Sequence, residues 1–366
     1  MRLFITTSHS HALALEKAST TIQRGTDDHD VVILLNDRLL ELCEPDFYDS
    51  RWAKWDVATL PIKVPFHKWQ LTPRLNKKTK LIDPETKKQL ELIGVSLKKA
   101  SVVVNIGNPG SEGLFLVDEL IEYFGYRGQV IRMLLDVKYL ASAEKIELSI
   151  QDNSKYSNVY QAELCRSRAA WLIGKNMSRA VTKLLARDVL ISIGRIQTPL
   201  LALVVRRCMA IESGVVMHHN YYTARSLLRE MRIFARCGMH DIDALKAKEF
   251  IEFDHKTRHI KDTRLGRSLI QALPEQLTYA TVAAAWENAL GQVAAGNYPP
   301  EEFMRRIDIF VESRLQEIKA LSGKVTISPG KSEHQSHQKT MSVPHARTAD
   351  KSAASSRGQC VPKPVR

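Results

Sequence analysis

Two short stretches put cationic side chains at spacings suited to gripping a phosphate backbone. CRSRAAWLIGKNMSRA supplies Arg166, Arg168 and Arg179, and GRIQTPLL supplies Arg195 and Gln197 ahead of Thr198 and Pro199. Arginine beside an amide or hydroxyl at a helix start holds polyanions through bidentate guanidinium bonds and unpaired backbone N–H groups. The pattern predicts that Thr198 caps a helix with proline in its first position, leaving Arg195, Gln197 and Thr198 to face an anion. The plainer alternative is that these arginines only pair with nearby carboxylates.

Other side chains could do chemistry in principle. Glu112, Asp118, Glu119 and Glu122 fall on one helical stretch and could in principle share a cation, but an exposed acidic helix face is the expected reading. His9 with His11, and His218 with His219, are spaced like metal pairs but have no carboxylate or thiol at ligand spacing, so surface histidines are expected. Trp171 and Trp286 sit in apolar helical stripes and are expected to be core rather than base-stacking platforms. Cys43, Cys165, Cys208, Cys237 and Cys360 form no C-x-x-C pair, which argues against a zinc site or disulfide framework and fits a reducing compartment.

The elements that must position these groups follow from composition and periodicity. The 366 residues are 44% apolar and carry 53 Lys plus Arg against 40 Asp plus Glu, a net charge of +13. At roughly 150 residues per domain that is enough for two domains, and the charge puts polyanions first among partners. No stretch approaches the ~18 apolar residues of a membrane span, and the N-terminal apolar run is short for a signal peptide, so a cytoplasmic location and no membrane partner are expected. Residues 67–100 hold nine Lys/Arg against Asp83, Glu85 and Glu91, which reads as a solvated face or as a surface turned to a polyanion. Residues 322–366 hold eight Lys/Arg against Glu333 and Asp350, with hardly any large apolar side chains, and are expected to be a disordered basic tail.

Residues 2–5 (RLFI), 31–35 (VVILL), 101–106 (SVVVNI) and 129–134 (QVIRML) are short apolar runs typical of buried parallel strands. Between the last two, Leu114, Val117, Ile121 and Phe124 recur at helical spacing, with Gly125 as a stop. This is a strand–helix–strand unit and predicts an α/β domain over residues 1–155. Helical patterns then dominate residues 156–321: one or two helices over 161–186, one opened by Thr198 with Leu200, Leu203 and Val204 on one face, and a last one near 300–321 carrying Phe303, Ile307, Phe310 and Ile318.

Taken in order, several segments resemble the bacterial type IA DNA topoisomerases, topoisomerase III above all. They are MRLFITTSHSHALAL, LLELCEPDFYDSRWAKWDVATLPI, NIGNPGSEGLFLVDELIEYFG, CRSRAAWLIGKNMSRAVT and ISIGRIQTPLLALVVRR, followed by YYTARSLLREM, IKDTRLGRSLIQALPEQL and AAAWENALGQVAAGNYPPEEF. The resemblance covers nearly all of residues 1–320. It implies a Toprim-like α/β domain, a short parallel sheet with flanking helices, followed by a mainly α-helical DNA-groove domain, and it implies single-stranded DNA as partner. It also assigns Arg166, Arg168, Arg179, Arg195, Gln197 and Thr198 to that groove.

The departures from the family fall on its reacting groups. Family members attack DNA with a tyrosine hydroxyl while a glutamate, a lysine and acid-bound Mg²⁺ manage the charge. Where the family carries E-K-P-S this chain has Thr7, Ser8, His9 and Ser10, and its D-P-D-R-E turn reads Asn108, Pro109, Gly110, Ser111 and Glu112, leaving only the glutamate. One carboxylate does not make the family's Mg²⁺ site, so no cofactor is expected. The family's G-H before L-L-E-L is Asp37 and Arg38, and the aspartate of its A-D-W-L segment is Ala170. The region bearing the I-T-Y-P-R tyrosine is missing: an apparent internal deletion near 218–221 joins Cys208–Asn220 almost directly to YYTARSLL, and Tyr221 and Tyr222 align after the lost region. The expected protein is a catalytically silent relative that retains DNA binding. Alternatives are an active Mg²⁺-dependent topoisomerase or nuclease rebuilt around Glu112, and a protein-interaction module.

Overall fold

A computed structural model describes residues 1–21, 30–76, 79, 81–106, 112–133, 150–186, 189–217, 220–254 and 256–327, with side chains of 16–21, 112–114 and 150 excluded. It divides into two compact units. The first takes Met1–Lys54, Pro61–Asn176 and Ala284–Ser313, and the second takes Trp55–Leu60, Met177–Ala283 and Arg314–Arg366. The boundary expected at 155/156 therefore does not coincide with the division, because each unit draws on separated stretches of chain.

The first unit is built on strands β1 (Arg2–Thr6), β2 (Val31–Leu34), β5 (Val102–Ile106), β6 (Gln129–Met133) and β7 (Ile150–Asp152). They lie in the order β2-β1-β5-β6-β7, with the first four parallel and β7 antiparallel to β6. Alternation along β1 sends Leu3 and Ile5 to one face and Phe4 to the other. Leu3, Ile5, Ile33 and Val103 pack with Ile93 and Leu97 of helix α3 (Pro84–Lys99) and with Val117 and Leu120 of α4 (Glu112–Phe124). Phe4, Val104, Ile106 and Met133 form a second cluster with Leu15 of α1 (His9–Thr21). Burial on both faces is why these runs read as unbroken apolar sequence. A small hairpin joins β3 (Leu40–Leu42), before the short helix α2 (Pro45–Tyr48), to β4 (Leu71–Pro73).

Helix α5 (Ser157–Leu184) is one continuous helix of 28 residues, contributing up to Asn176 to the first unit and from Met177 to the second. In the first unit the Asn176 amide accepts from the Ile62 N–H at 2.7 Å and donates to the Ile62 and Leu172 carbonyls. The second unit is mainly helical: α6 (Gln197–Glu212), α7 (Ala224–Met231), α8 (Met239–Ala247) and α9 (Arg264–Ala272), with a hairpin of β8 (Ile251–Phe253) and β9 (Ile260–Asp262). Helix α6 buries Leu200, Leu201, Val204, Val205, Cys208 and Ile211, while Leu203 is half-buried. Helices α10 (Ala280–Ala294) and α11 (Pro300–Leu321) follow, the last with the expected limits.

Several expectations need correction. Helix α6 starts at Gln197 with Ile196 at its cap, so Thr198 lies inside the first turn and does not cap it. His11 is 3% exposed rather than a surface histidine, because it sits on the inner face of α1. The tail expected to be disordered from 322 is ordered to Ile327, which is 1% exposed and donates its N–H to the Leu185 carbonyl. Residues 328–366, the pair His218–His219 and the rest of the expected deletion junction before Asn220 lie outside the described residues.

Candidate nucleic-acid interface

The six residues expected to face an anion are divided between the two units. In the first, Arg166 donates to Glu163 at 3.0 Å and also pairs with Glu287, the carboxylate pairing that was the plainer alternative. Arg168 is 8% exposed, with its guanidinium 5.1 Å from the Phe66 ring centre and 5.7 Å from that of Trp69. Burial pulls its pKa below the ordinary arginine value. These contacts hold the first half of α5 within its own unit. Trp171 is half-buried, edge-on to Trp69 at 5.2 Å and to Tyr48 at 6.1 Å, and Trp286 is half-buried and edge-on to Phe310, so neither is a free platform.

In the second unit, Ser178 and Thr182 of α5 each hydrogen-bond both backbone groups of a facing residue, Ile193 and Ile191. This draws the segment leading to Arg195 alongside the turn of α5 that carries Arg179. Arg179 is 5% exposed and lies 5.5 Å from the Trp55 ring centre, whereas Arg195 is half-buried. Gln197 Oε1 accepts from Lys248 Nζ at 2.7 Å, and Thr198 Oγ1 accepts from the Gly194 N–H at 3.1 Å. The Thr198 N–H donates to the Gly194 carbonyl, and Pro199 has no N–H. The first turn of α6 is thus largely occupied by its own chain.

A different cationic surface lies on α7. Arg225, Arg229 and Arg232 recur at four and three residues, on one helical face, and all three are exposed. The spacing is visible in ARSLLREMR and was the signal to use. Thr223 caps this helix, its hydroxyl accepting from the Ser226 N–H while the Ser226 hydroxyl accepts from the Thr223 N–H. Beside it is a cavity of about 550 Å³ lined by Arg207, Tyr221, Tyr222, Ser226 and Arg229, among others. Tyr221 lies beside His259, ring centres 5.9 Å apart, with Lys261 Nζ 5.4 Å from its own centre. Cations interleaved with an accessible ring suit a sugar–phosphate backbone and an unstacked base. Tyr222 is 4% exposed, and its hydroxyl donates to Glu230 at 2.6 Å and accepts from Arg207 at 3.0 Å. Burial and Glu230 push its pKa up, the opposite of what a nucleophile needs.

Two of the acids of α4, Asp118 and Glu119, are buried rather than on an exposed face, whereas Glu122 is exposed. Asp118 is 8% exposed and binds Arg132 at 2.6 Å, Asn105 at 3.1 Å and Asn153 at 3.3 Å. Glu119 is 1% exposed and accepts from Arg38 at 2.7 Å, and Glu122 accepts from the Tyr160 hydroxyl. The half-buried Arg38 therefore serves as counter-charge to Glu119, and Asp37 pairs with Arg74. These carboxylates already carry arginine or tyrosine partners where a magnesium ion needs open oxygens, so they do not fit that ion. No group of three His, Cys, Asp or Glu suited to a metal occurs among the described residues. Ser8 caps α1, accepting from the His11 N–H at 3.4 Å, and Thr7 is half-buried beside it. Asn108 and Gly110 lie outside the described residues, as does the Glu112 side chain. Ala170 is half-buried on α5. The thiols of Cys165 and Cys208 are pushed up to about 12 by burial, so neither is reactive at neutral pH.

Comparison with known proteins gives these sites a context. Residues 154–236 match the sequence model of the DNA topoisomerase family. Over 225 residues the chain is 37% identical to DNA topoisomerase 3 of Haemophilus influenzae, an alignment covering 58% of this chain and 33% of that protein. It is 38% identical over 229 residues to DNA topoisomerase 3 of Salmonella typhimurium, covering 59% and 33%. Over these stretches the chain resembles the type IA topoisomerases, DNA topoisomerase 3 above all. Full-length topoisomerase I from Thermotoga maritima shares its fold, with a TM-score of 0.59 at 9% identity over 86% of this chain and 90% of that one.

This topoisomerase III-like chain spans about a third of the length of the curated relatives it matches. The family match encloses all six sequence-derived site residues and also Tyr221, Arg225, Arg229 and Arg232. None of the helices among the described residues is long and apolar enough to cross a membrane.

Proposed function

We propose that this protein binds single-stranded DNA along the exposed face of α7 and the adjoining cavity, and that it neither cleaves nor passes strands. The observation that carries the reading is the cation–aromatic surface of Arg207, Tyr221, Arg225, Arg229 and Arg232 inside the family-matched segment. The silent half of the reading rests on the reacting positions. Thr7, Ser8, Asn108 and Gly110 stand where the resemblance places the acids and the lysine, and the hydroxyl of Tyr222 is held by Glu230. The first unit is read as a Toprim-like scaffold that has kept its sheet and lost the acids of the family's reacting positions, now Thr7, Asn108 and Gly110, acting in a cytoplasmic, reducing compartment.

The test pairs two measurements on the full chain. Anisotropy titrations with a labelled single-stranded oligonucleotide should show binding that weakens steeply with salt. Incubation of the same preparation with supercoiled plasmid and Mg²⁺ should leave topology unchanged and give no denaturation-resistant adduct. Failure to bind even at low salt overturns the first half of the reading. A metal-dependent adduct mapping to any tyrosine overturns the second, and loss of nicking in Glu112→Gln would point to a rebuilt site.

A further inference from the structure

The first unit carries a second concavity, unrelated to the reacting positions. Its volume is about 810 Å³, within the range of binding clefts. One wall is α3 from Lys87 to Lys98 and the other is the end of α4 with the turn linking it to β6. Leu90, Leu97, Tyr123, Phe124 and Tyr126 give it apolar walls, and the rim exposes Ile82 and Val95, the latter 54% accessible. Leu92, 53% accessible, continues the apolar strip along α3. An apolar strip of this kind on a charged protein marks a contact surface.

Two local features give the cleft its shape. At Gly94 an added Cβ would sit 2.9 Å from the Phe124 ring, so the bare backbone lets the ring close against the helix. The Tyr126 hydroxyl donates to the Ala100 carbonyl at 3.2 Å and ties the turn to the end of α3. The turn itself needs Gly125, whose φ is +63°.

Charge selects the occupant. Lys87, Lys98 and Arg127 line the cleft against one carboxylate, Glu91, which already faces Lys87 at 3.9 Å. Lys88 and Lys99 add exposed positive charge on the same helix. A cationic rim around apolar walls suits an acidic peptide that inserts aliphatic or aromatic side chains. The basic tail of residues 328–366 and a second copy of this +13 chain carry the wrong sign. A nucleic-acid backbone would match the rim but leave the apolar walls unfilled.

We infer that the cleft between α3 and the α4–β6 turn is a docking groove for an acidic, amphipathic peptide segment of a partner protein. It uses neither α7 nor its cavity, so it stands apart from the DNA-binding reading. The test is selection of short random peptides from a display library on the full chain, followed by anisotropy titration of the enriched sequences. Enriched peptides should be net acidic with at least one large apolar residue. Their affinity should fall by about tenfold or more in Val95→Asp and in the double variant Lys98→Glu/Arg127→Glu, and should weaken with salt. All these positions are exposed, and an unchanged thermal melt with unchanged oligonucleotide binding keeps the result separate from misfolding and from the α7 surface. Absence of enrichment, enrichment of basic or uncharged peptides, or equal binding to the variants overturns the inference. So does loss of oligonucleotide binding in the double variant, which would make this face a nucleic-acid contact.

Discussion

Asp118 and Arg132 show what one charge pair does in the interior. Burial pushes the Asp118 carboxyl above its ordinary value of 3.8, and Arg132, the largest opposing influence, keeps the anion tolerable. A carboxyl raised in the folded state contributes stability below its unfolded pKa and loses it as pH rises through the folded value. Without the guanidinium the rise is larger. Arg132→Met should therefore cost about 3–5 kcal/mol near neutral pH, as expected for a buried pair that loses one partner. The cost should shrink towards acid, where protonated Asp118 needs no cation. Urea midpoints at neutral pH and near pH 4 check this, and an equal loss at both pH values contradicts it. None of this pairing was legible in the sequence. Asp118, Glu119 and Glu122 share a helix, but their partners Arg132, Arg38 and Tyr160 are brought to them only by the sheet and by α5.

At the scale of elements, the apolar runs located the four parallel strands to within a residue and periodicity gave α11 its observed limits, because both patterns report burial directly. The start of α6 was misplaced because Thr198 turns its hydroxyl back to Gly194, a bond no local pattern announces. Strand β7 escaped because three residues carry no period. The functional surface was legible in principle in the spacing of Arg225, Arg229 and Arg232, but the arginines of the family motifs drew attention to residues that prove mostly buried. Helix α7 presents that surface and is short, so its cap matters. Thr223→Ala removes the hydroxyl that accepts from the Ser226 N–H and should cost about 1 kcal/mol. Gly266 is a stiffer constraint: an added Cβ would lie 2.1 Å from the Phe250 carbonyl oxygen. Gly266→Ala should lower stability by about 1–3 kcal/mol, with a clear fall in melting temperature, since backbone rather than a mobile side chain must move. A melt as high as that of the unaltered chain would show that the hairpin beside α9 yields freely.

For the molecule as a whole, a net charge of +13 guarantees some attraction to any polyanion, so binding alone does not locate an interface. The salt dependence does, because each phosphate contact releases counterions and adds about 0.7 to the slope of log affinity against log salt for a single strand. Replacing Arg225, Arg229 and Arg232 together with alanine removes three exposed cations and no buried one. If all three touch phosphate, the slope should fall by about 2. Arg166→Ala, which removes a cation already held by Glu163 and Glu287, should leave the slope unchanged and lower stability instead. Diffuse attraction by overall charge would make both replacements weaken binding in proportion to the charge removed, whatever the position. Equal effects per charge would thus assign DNA binding to the whole cationic surface, whereas a steep loss confined to the α7 variant ties it to the groove beside Tyr221.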